Sequence, residues 1–108
     1  MTAYQRGLGM LGLARRARAL TSGFSQVEAS LKAGEGSLLL LDGEISPETE
    51  KQLVPLAEKH GIKYFRLEAG ELSDSLGDFR MCALVTDEGF GRRIYQLLNE
   101  EKHTGGTV

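Results

Sequence analysis

The sequence predicts a three-layer α/β/α sandwich, in which helices cover both faces of one sheet. Short apolar stretches of strand character alternate with amphipathic helical stretches along the chain, which is typical of this architecture. The segment Leu38–Leu41 is an unbroken run of leucine, and a strand without polar alternation is expected to be covered on both faces. A length of 108 residues suits one core. We therefore expect one domain over residues 1–102, followed by a loose glycine-containing tail over residues 103–108.

The first element is predicted to be a helix over residues 3–18, because its apolar residues recur at helical spacing. Gly7, Gly9 and Gly12 interrupt this pattern and match the spacing G-x-G-x-x-G. A dinucleotide site needs a strand directly before such a loop, and residues 1–6 have no strand character. We therefore interpret these glycines as positions of close helix packing.

A short edge strand, Ala19–Ser22, and a second helix, Ser25–Lys32, are predicted next. Ser25 is a natural N-cap, and Glu28 stands at the spacing of a capping box. Phe24 then takes the place of a hydrophobic staple, with direct contact to a ligand as the alternative. The start of this helix presents backbone N–H groups and a partial positive charge, so it is a candidate anion site.

The rest of the chain continues the alternation. Ser46 and Pro47 are typical of a helix start, and Pro55 is expected to kink that helix. The predicted strands are 37–41, 62–67 and 81–86, and the predicted helices are 47–60, 71–76 and 87–100. Ligands of such sheets tend to bind beyond the ends of strands, so the segments 42–45 and 80–83 are the loops of interest.

Charge is distributed unevenly along the chain, although the net charge is only −2. Residues 1–34 contain five basic residues and one acidic residue, and the remainder contains eight and fourteen. Most of the N-terminal charge is a cluster formed by Arg15, Arg16 and Arg18. A polarised chain of this kind can bind nucleic acid through one face, while the plainer interpretation is a solvated helix face.

No catalytic or metal-binding arrangement is evident. His60, His103 and Cys82 are scattered without the spacing of a metal site or a nucleophile–base pair. Cys82 is expected to be a small buried hydrophobe. A single cysteine, no secretory signal and no apolar run of membrane-spanning length predict a cytoplasmic protein. We predict neither an enzyme nor a cofactor.

Four segments together resemble a known family. The segment 11–18 (LGLARRAR), Ser22-Gly23, Leu38–Leu41 and the segment 85–90 (VTDEGF) are similar to the bacterial YlxQ-type branch of the kink-turn RNA-binding ribosomal protein superfamily. The resemblance extends over about residues 8–98 without large gaps. It implies a mixed four-stranded sheet and binding of a kinked RNA helix by a monomer, alone or within a ribonucleoprotein.

The resemblance also implies an RNA-binding site. The family's signature at the second helix, Gly-x-Asn-Glu, falls on Gly23, Phe24, Ser25 and Gln26, and its lysine one turn later falls on Ala29. Ser25, Gln26 and nearby backbone N–H groups would meet base edges. Phosphates would be contacted by Arg15, Arg16, Arg18 and Lys32. An extruded base would lie against Ile45, Met81, Cys82 and Ala83, with Asp42 and Glu44 in the adjoining loop.

Two functions are therefore open. The first is a non-catalytic RNA-binding protein associated with the ribosome or translation. The alternative is a ribosome-associated or protein-interaction scaffold of the same fold, in which kink-turn affinity is weak or lost. The arginine cluster and Gly23 favour the first function. The acidic balance of the chain, Ser25 and Ala29 favour the second.

Overall fold

The computed structural model describes residues 1–107, with side chains described for residues 1–100. The predicted tail, residues 103–108, lies outside the fully described part. Five helices alternate with four strands, as the sequence predicts. The helices are α1 (Ala3–Arg16), α2 (Phe24–Lys32), α3 (Pro47–Lys59), α4 (Glu71–Leu76) and α5 (Glu88–Thr107). The strands are β1 (Leu20–Ser22), β2 (Leu38–Leu41), β3 (Lys63–Arg66) and β4 (Cys82–Val85).

The four strands form one mixed sheet in the order β1-β4-β2-β3. β1 and β2 are antiparallel to β4, while β2 and β3 run parallel. In the register, Leu41 lies opposite Cys82 and Arg66, and Ser22 lies opposite Ala83. The carboxyl ends of β1, β2 and β3 therefore meet the amino end of β4 at one edge, which we call the site edge.

Side chains of the central strands alternate between two cores. Leu38 and Leu40 of β2 face a cluster with residues of α1, α4 and α5, whereas Leu39 and Leu41 face a cluster with residues of α2 and α3. β4 divides its four buried residues in the same way. The sheet is thus covered on both faces, which confirms the predicted sandwich and explains why β2 has no polar alternation.

The glycines of α1 have different environments. A Cβ built on Gly7 would lie 2.9 Å from Cδ2 of Leu98, and one on Gly12 would lie 3.2 Å from the carbonyl oxygen of Ser75. These two glycines allow α1 to approach its neighbours closely, as predicted. A Cβ on Gly9 would meet no atom within 4 Å, so the packing of the described residues does not require this glycine.

The prediction of a capping box at Ser25 is wrong. α2 begins one residue earlier, its N-cap is Gly23, and no side chain caps it. Gly23 adopts a φ of 91°, which favours glycine, and its N–H donates to the carbonyl oxygen of Cys82 at 3.1 Å. The tie to β4 fixes where the helix begins and leaves Ser25 inside the first turn.

Candidate nucleic-acid interface

Three helices begin at the site edge, since α2, α3 and α4 follow the carboxyl ends of β1, β2 and β3. Each helix start directs backbone N–H groups outward. Whether these donors are available depends on the side chains nearby.

The start of α2 has free donors. Among residues 1–100, the backbone N–H groups of Phe24, Ser25 and Gln26 form no hydrogen bond, and the first helical bond is donated by Val27 to the carbonyl oxygen of Gly23. The side chains of Ser25 and Gln26 are exposed and also have no hydrogen-bond partner in this part of the chain. The first turn of α2 therefore offers three backbone donors, one hydroxyl and one amide to a ligand.

In each of the other four helices, a side chain accepts from at least one backbone N–H group at the helix start. Thr2 caps α1 through a capping box with Gln5, and Ser46 accepts from the N–H of Thr49 at the start of α3. Asp87 accepts from the N–H of Phe90 at 2.8 Å in the first turn of α5. The carboxylate of Asp42 accepts from the backbone N–H groups of Gly70 and Leu72 at the start of α4. Within the described helices, α2 is therefore the one whose first turn is left without such a partner.

The guanidinium of Arg80 is held in a fixed position beside the start of α2. Its Nε donates to Oγ of Ser22 at 3.0 Å, and its Nη1 donates to the carbonyl oxygen of Phe79 at 2.7 Å. Its Nη2 lies 3.0 Å from Oδ2 of Asp78. These contacts use three of the five guanidinium N–H groups, so two donors are left for an anion. Sequence reasoning singled out the segment 80–83 but not Arg80, because the contact with Ser22 spans 58 residues.

Two exposed aromatic residues adjoin the groups of this helix start. Phe79 precedes Arg80 and is 73% exposed, and Phe24 opens α2 and is 37% exposed. An exposed ring beside hydrogen-bond donors is suited to stacking on an unpaired base. The exposure of Phe24 fits direct contact with a ligand better than a buried hydrophobic staple. Phe79 was not predicted, because nothing in the sequence indicates that a lone aromatic residue is exposed.

Arg15 joins the site through Asp78. Its Nη1 donates to the carbonyl oxygen of Leu76 at 2.8 Å, and its Nη2 lies 3.1 Å from Oδ2 of Asp78, which Arg80 also contacts. The hydrogen bond from Arg15 and the charge of Arg80 hold the pKa of Asp78 below its usual value. The carboxylate thus links the two guanidiniums and offsets part of their positive charge.

The other predicted cations lie elsewhere. Arg16 lines a groove between α1 and α5. Arg18 lies in the turn before β1, next to Ala19, whose carbonyl oxygen accepts from Thr86 beyond the far end of β4. Lys32 ends α2 and is 3.8 Å from the carboxylate of Glu28. The structure therefore brings Arg15 to the site edge and separates the other three from it.

The loop after β2 is built around a buried carboxylate. Asp42 is fully buried and accepts from the N–H groups of Glu44 at 3.0 Å, Gly70 at 3.0 Å and Leu72 at 3.4 Å. Its side chain holds the loop against α4 and does not reach the surface. Ile45 is also buried, in the core beneath α3, whereas Glu44 is exposed. Of the predicted loop residues, only Glu44 presents its side chain to solvent.

The segment predicted to hold an extruded base is largely internal. Cys82 and Ala83 are buried in opposite cores, and Met81 is half-buried against the α2 and α3 layer. Burial raises the pKa of the Cys82 thiol to about 11, which agrees with its expected role as a small hydrophobe. The side chains of Cys82 and Ala83 are covered by the helix layers on the two faces of the sheet, so Met81 is the accessible member of this segment.

The opposite edge of the sheet has a depression of about 460 Å³ that includes His60, Lys63 and Arg92. It contains none of the predicted site residues. No group of three histidine, cysteine or acidic side chains within the described residues is arranged to hold a metal ion. Over that same part of the chain, no helix has the length and apolar character needed to cross a membrane.

Comparison with known proteins adds an independent observation. Residues 5–93 match the model of the "Ribosomal protein L7Ae/L30e/S12e/Gadd45 family". The chain is 32% identical over 92 residues to the RNA-binding protein YlxQ of Bacillus subtilis (strain 168), which covers 83% of this chain and 92% of that protein.

Solved structures agree on the architecture. A Bacillus halodurans protein described as having unknown function superposes with a TM-score of 0.81 at 29% identity, covering 86% of this chain and 96% of the other. A Giardia lamblia 15.5kD RNA binding protein superposes with a TM-score of 0.68 at 15% identity, covering 89% and 84% of the two chains. The second likeness is one of fold alone.

Proposed function

Because this chain belongs to the ribosomal protein L7Ae/L30e/S12e/Gadd45 family, we propose that it is a non-catalytic, cytoplasmic RNA-binding protein that recognises a kink-turn or similarly structured RNA in association with the ribosome or translation. The observation that carries this proposal is the uncapped first turn of α2 beside the fixed guanidinium of Arg80. The name of the Bacillus subtilis relative, an RNA-binding protein, supports the same class of ligand.

Base recognition is assigned to the first turn of α2. Specific recognition of RNA by proteins mostly uses bases that are not in regular helices, because their edges are accessible there. The amide of Gln26 can donate and accept at one base edge, and the hydroxyl of Ser25 and the free N–H groups can meet its neighbour. Phe79 is placed to stack on a base displaced from the kink.

Phosphate contact is assigned to Arg80 and to the backbone of α2. The positive end of the α2 dipole lies beside Arg80, since a Cβ built on the N-cap Gly23 would be 4.0 Å from Nε of Arg80, and this guanidinium has two spare N–H groups. Arg15 contributes charge at longer range, since its guanidinium is already engaged by Asp78 and Leu76. Such contacts fix the position of the RNA rather than its sequence.

The proposal is tested by titrating a kink-turn RNA and a straight duplex of equal length at two salt concentrations. We expect preferential binding of the kinked RNA, and we expect Gln26→Ala to weaken that binding about tenfold, on the order of 1.4 kcal/mol. Gln52→Ala, an exposed glutamine on α3, is the matched control and is expected to change affinity less than twofold.

Arg80→Ala separates phosphate contact from base recognition. This variant is expected to bind kinked and straight RNA more weakly by the same factor. It is also expected to reduce the slope of log affinity against log salt by about 1. Equal, weak binding of both RNAs by the wild-type protein would contradict kink-turn recognition. Absence of RNA binding altogether would favour the scaffold function instead.

A further inference from the structure

A second surface lies outside the site edge, between α1 and α5. The groove, of about 440 Å³, runs between the face of α1 that carries Gly9, Met10 and Leu13 and residues Arg93 and Leu97 of α5. It shares no residue with the first turn of α2 or with Arg80. We propose that this α1/α5 groove binds an acidic amphipathic helix of a partner protein, a role that goes beyond the proposed RNA binding.

Gly9 is the first observation behind this proposal. Glycine in a helix interior costs about 1 kcal/mol relative to alanine. Gly7 and Gly12 offset that cost through close packing within the chain, but a Cβ on Gly9 would meet no atom within 4 Å. The packing of residues 1–100 therefore makes no use of the missing side chain. A glycine at the floor of an open groove instead allows the backbone of another molecule to approach α1.

The groove is apolar along its floor. Leu13 is 50% exposed, Met10 is half-buried and Leu97 is buried beneath them. The groove residues of α1 follow the spacing 6, 9, 10, 13 and 16, so they form one stripe about 15 Å long. This length and pattern fit about three turns of a partner helix that presents apolar residues at i, i+3, i+4 and i+7.

Charge decides which helix the groove accepts. Arg6, Arg16 and Arg93 line it, and none of the residues 1–100 that line it is acidic. Within residues 1–100, none of these three arginines forms an ion pair. One of them, Arg93, donates from Nη1 to Oε1 of Gln96 at 3.3 Å, a neutral partner that leaves its charge uncompensated. Three guanidiniums without a described ion-pair partner, around an apolar floor, complement a helix with a leucine-type face flanked by glutamate or aspartate.

Other occupants fit less well. A second copy of this chain, docked groove to groove, would bring two sets of three arginines together, and like charges across an interface are unfavourable. RNA phosphates would complement the arginines but would leave Leu13 and Met10 unmatched, because a sugar–phosphate backbone offers no apolar stripe. The observations therefore favour an acidic protein segment.

The test uses the full chain and a fluorescent synthetic helix of about 14 residues, with leucines at i, i+3, i+4 and i+7 and glutamates on both flanks. Lysine-flanked and scrambled versions are the control peptides. We expect the acidic peptide to bind at least tenfold more tightly than either control, with affinity falling as salt rises. Its affinity is expected to be unchanged in Gln26→Ala, so failure of this proposal and failure of the RNA-binding proposal are distinguishable.

Variants of the protein locate the binding. Gly9→Glu places a charged side chain in the groove without a clash and is expected to weaken peptide binding at least tenfold. Arg93→Glu is expected to weaken it about tenfold, whereas Arg92→Glu, the same change on a neighbouring residue outside the groove, is expected to change it less than twofold. Thermal unfolding of each variant verifies that the fold is retained.

Three outcomes would overturn the proposal. The first is absence of specific binding in the groove, seen either as failure of the acidic peptide to bind at millimolar concentration or as an equal loss of peptide affinity in Arg92→Glu and Arg93→Glu. The second is duplex RNA binding that Arg93→Glu abolishes while the peptide does not bind, which would assign the groove to nucleic acid. The third is a concentration-dependent dimer that Leu13→Glu dissociates, which would assign it to a second copy of the chain.

Discussion

At the scale of single residues, two glycines of α1 make a matched pair. Gly9→Ala is expected to raise the free energy of unfolding by up to about 1 kcal/mol, because it improves helix propensity and its methyl group has room. Gly7→Ala gains the same propensity but forces its Cβ against Leu97 and Leu98, and crowding of this kind costs about 1–3 kcal/mol. We therefore expect a net loss of roughly 1 kcal/mol for Gly7→Ala.

Urea denaturation of both variants measures this difference directly. Equal shifts of the two midpoints would contradict the packing described for Gly7. A destabilised Gly9→Ala would show that the free space at Gly9 is not available in solution.

Cys82 gives a residue-scale dependence on pH. Burial raises its pKa to about 11, above the ordinary thiol value of 9.0, so between these values the folded protein binds more protons than the unfolded chain. The contribution of Cys82 is therefore fully present below pH 9 and is lost as pH rises toward 11, with a slope of at most about 1.4 kcal/mol per pH unit.

The slope is measured from the difference in the free energy of unfolding between wild type and Cys82→Ala, determined by urea denaturation at pH values from 7 to 11. Cys82→Ala is expected to be less stable at pH 7, because it leaves a small cavity, but the gap should narrow above pH 9. A constant gap over this range would show that the thiol titrates equally in both states.

At the scale of elements, the three helix starts at the site edge have the same backbone chemistry but differ in the side chains around them. The start of α4 is occupied by the buried carboxylate of Asp42, and the start of α3 by the hydroxyl of Ser46. The start of α2 has a glycine N-cap, Gly23, and so does the start of α4, Gly70, so neither helix is capped by its own N-cap side chain. The two starts differ because the carboxylate of Asp42 accepts from α4, whereas no side chain among residues 1–100 accepts from the first turn of α2.

Asp42→Asn tests the structural half of this comparison. The carboxylate accepts from three backbone N–H groups, and an amide would turn donors toward some of them. Loss of charge-assisted bonds in a buried position is expected to lower the free energy of unfolding by roughly 2–3 kcal/mol. Asp74→Asn, an exposed residue in the first turn of the same helix, serves as the control, with an expected change below about 0.5 kcal/mol.

If Asp42→Asn instead kept full stability and lost RNA affinity, Asp42 would be a contact residue rather than a support for the loop. Chemical denaturation and RNA titration on the same preparation distinguish these roles.

At the scale of the whole molecule, the positive N-terminal third is divided between two surfaces. Arg15 is drawn to the site edge by Asp78, and Arg6 and Arg16 belong to the α1/α5 groove. Their separation follows from the helix, since neighbouring positions point about 100° apart around its axis. A cluster that is continuous in sequence is therefore not one patch on the molecule, and one domain can offer separate surfaces to an RNA and to a protein.

The fold was predictable because its signals are local. The periodicity of α1, the cap at Ser46 and the leucine run of β2 each depend on a few adjacent residues, and the structure confirms the element they predict. Most element ends lie within one or two residues of the predicted ones, whereas α5 ends at Thr107 rather than at residue 100. The clearest case of an end decided by a distant contact is α2, whose start is fixed by the hydrogen bond from Gly23 to the carbonyl oxygen of Cys82.

The sequence by itself therefore determined the order of helices and strands and the double-sided burial of the sheet, because these depend on periodicity and turn chemistry. Only the tertiary structure decided where α2 begins and which side chains are accessible at its start. It buried Asp42, Cys82 and Ala83, brought in Arg80 and Phe79, and left Gly9 open, because each outcome depends on strand register and helix packing between residues far apart in the chain.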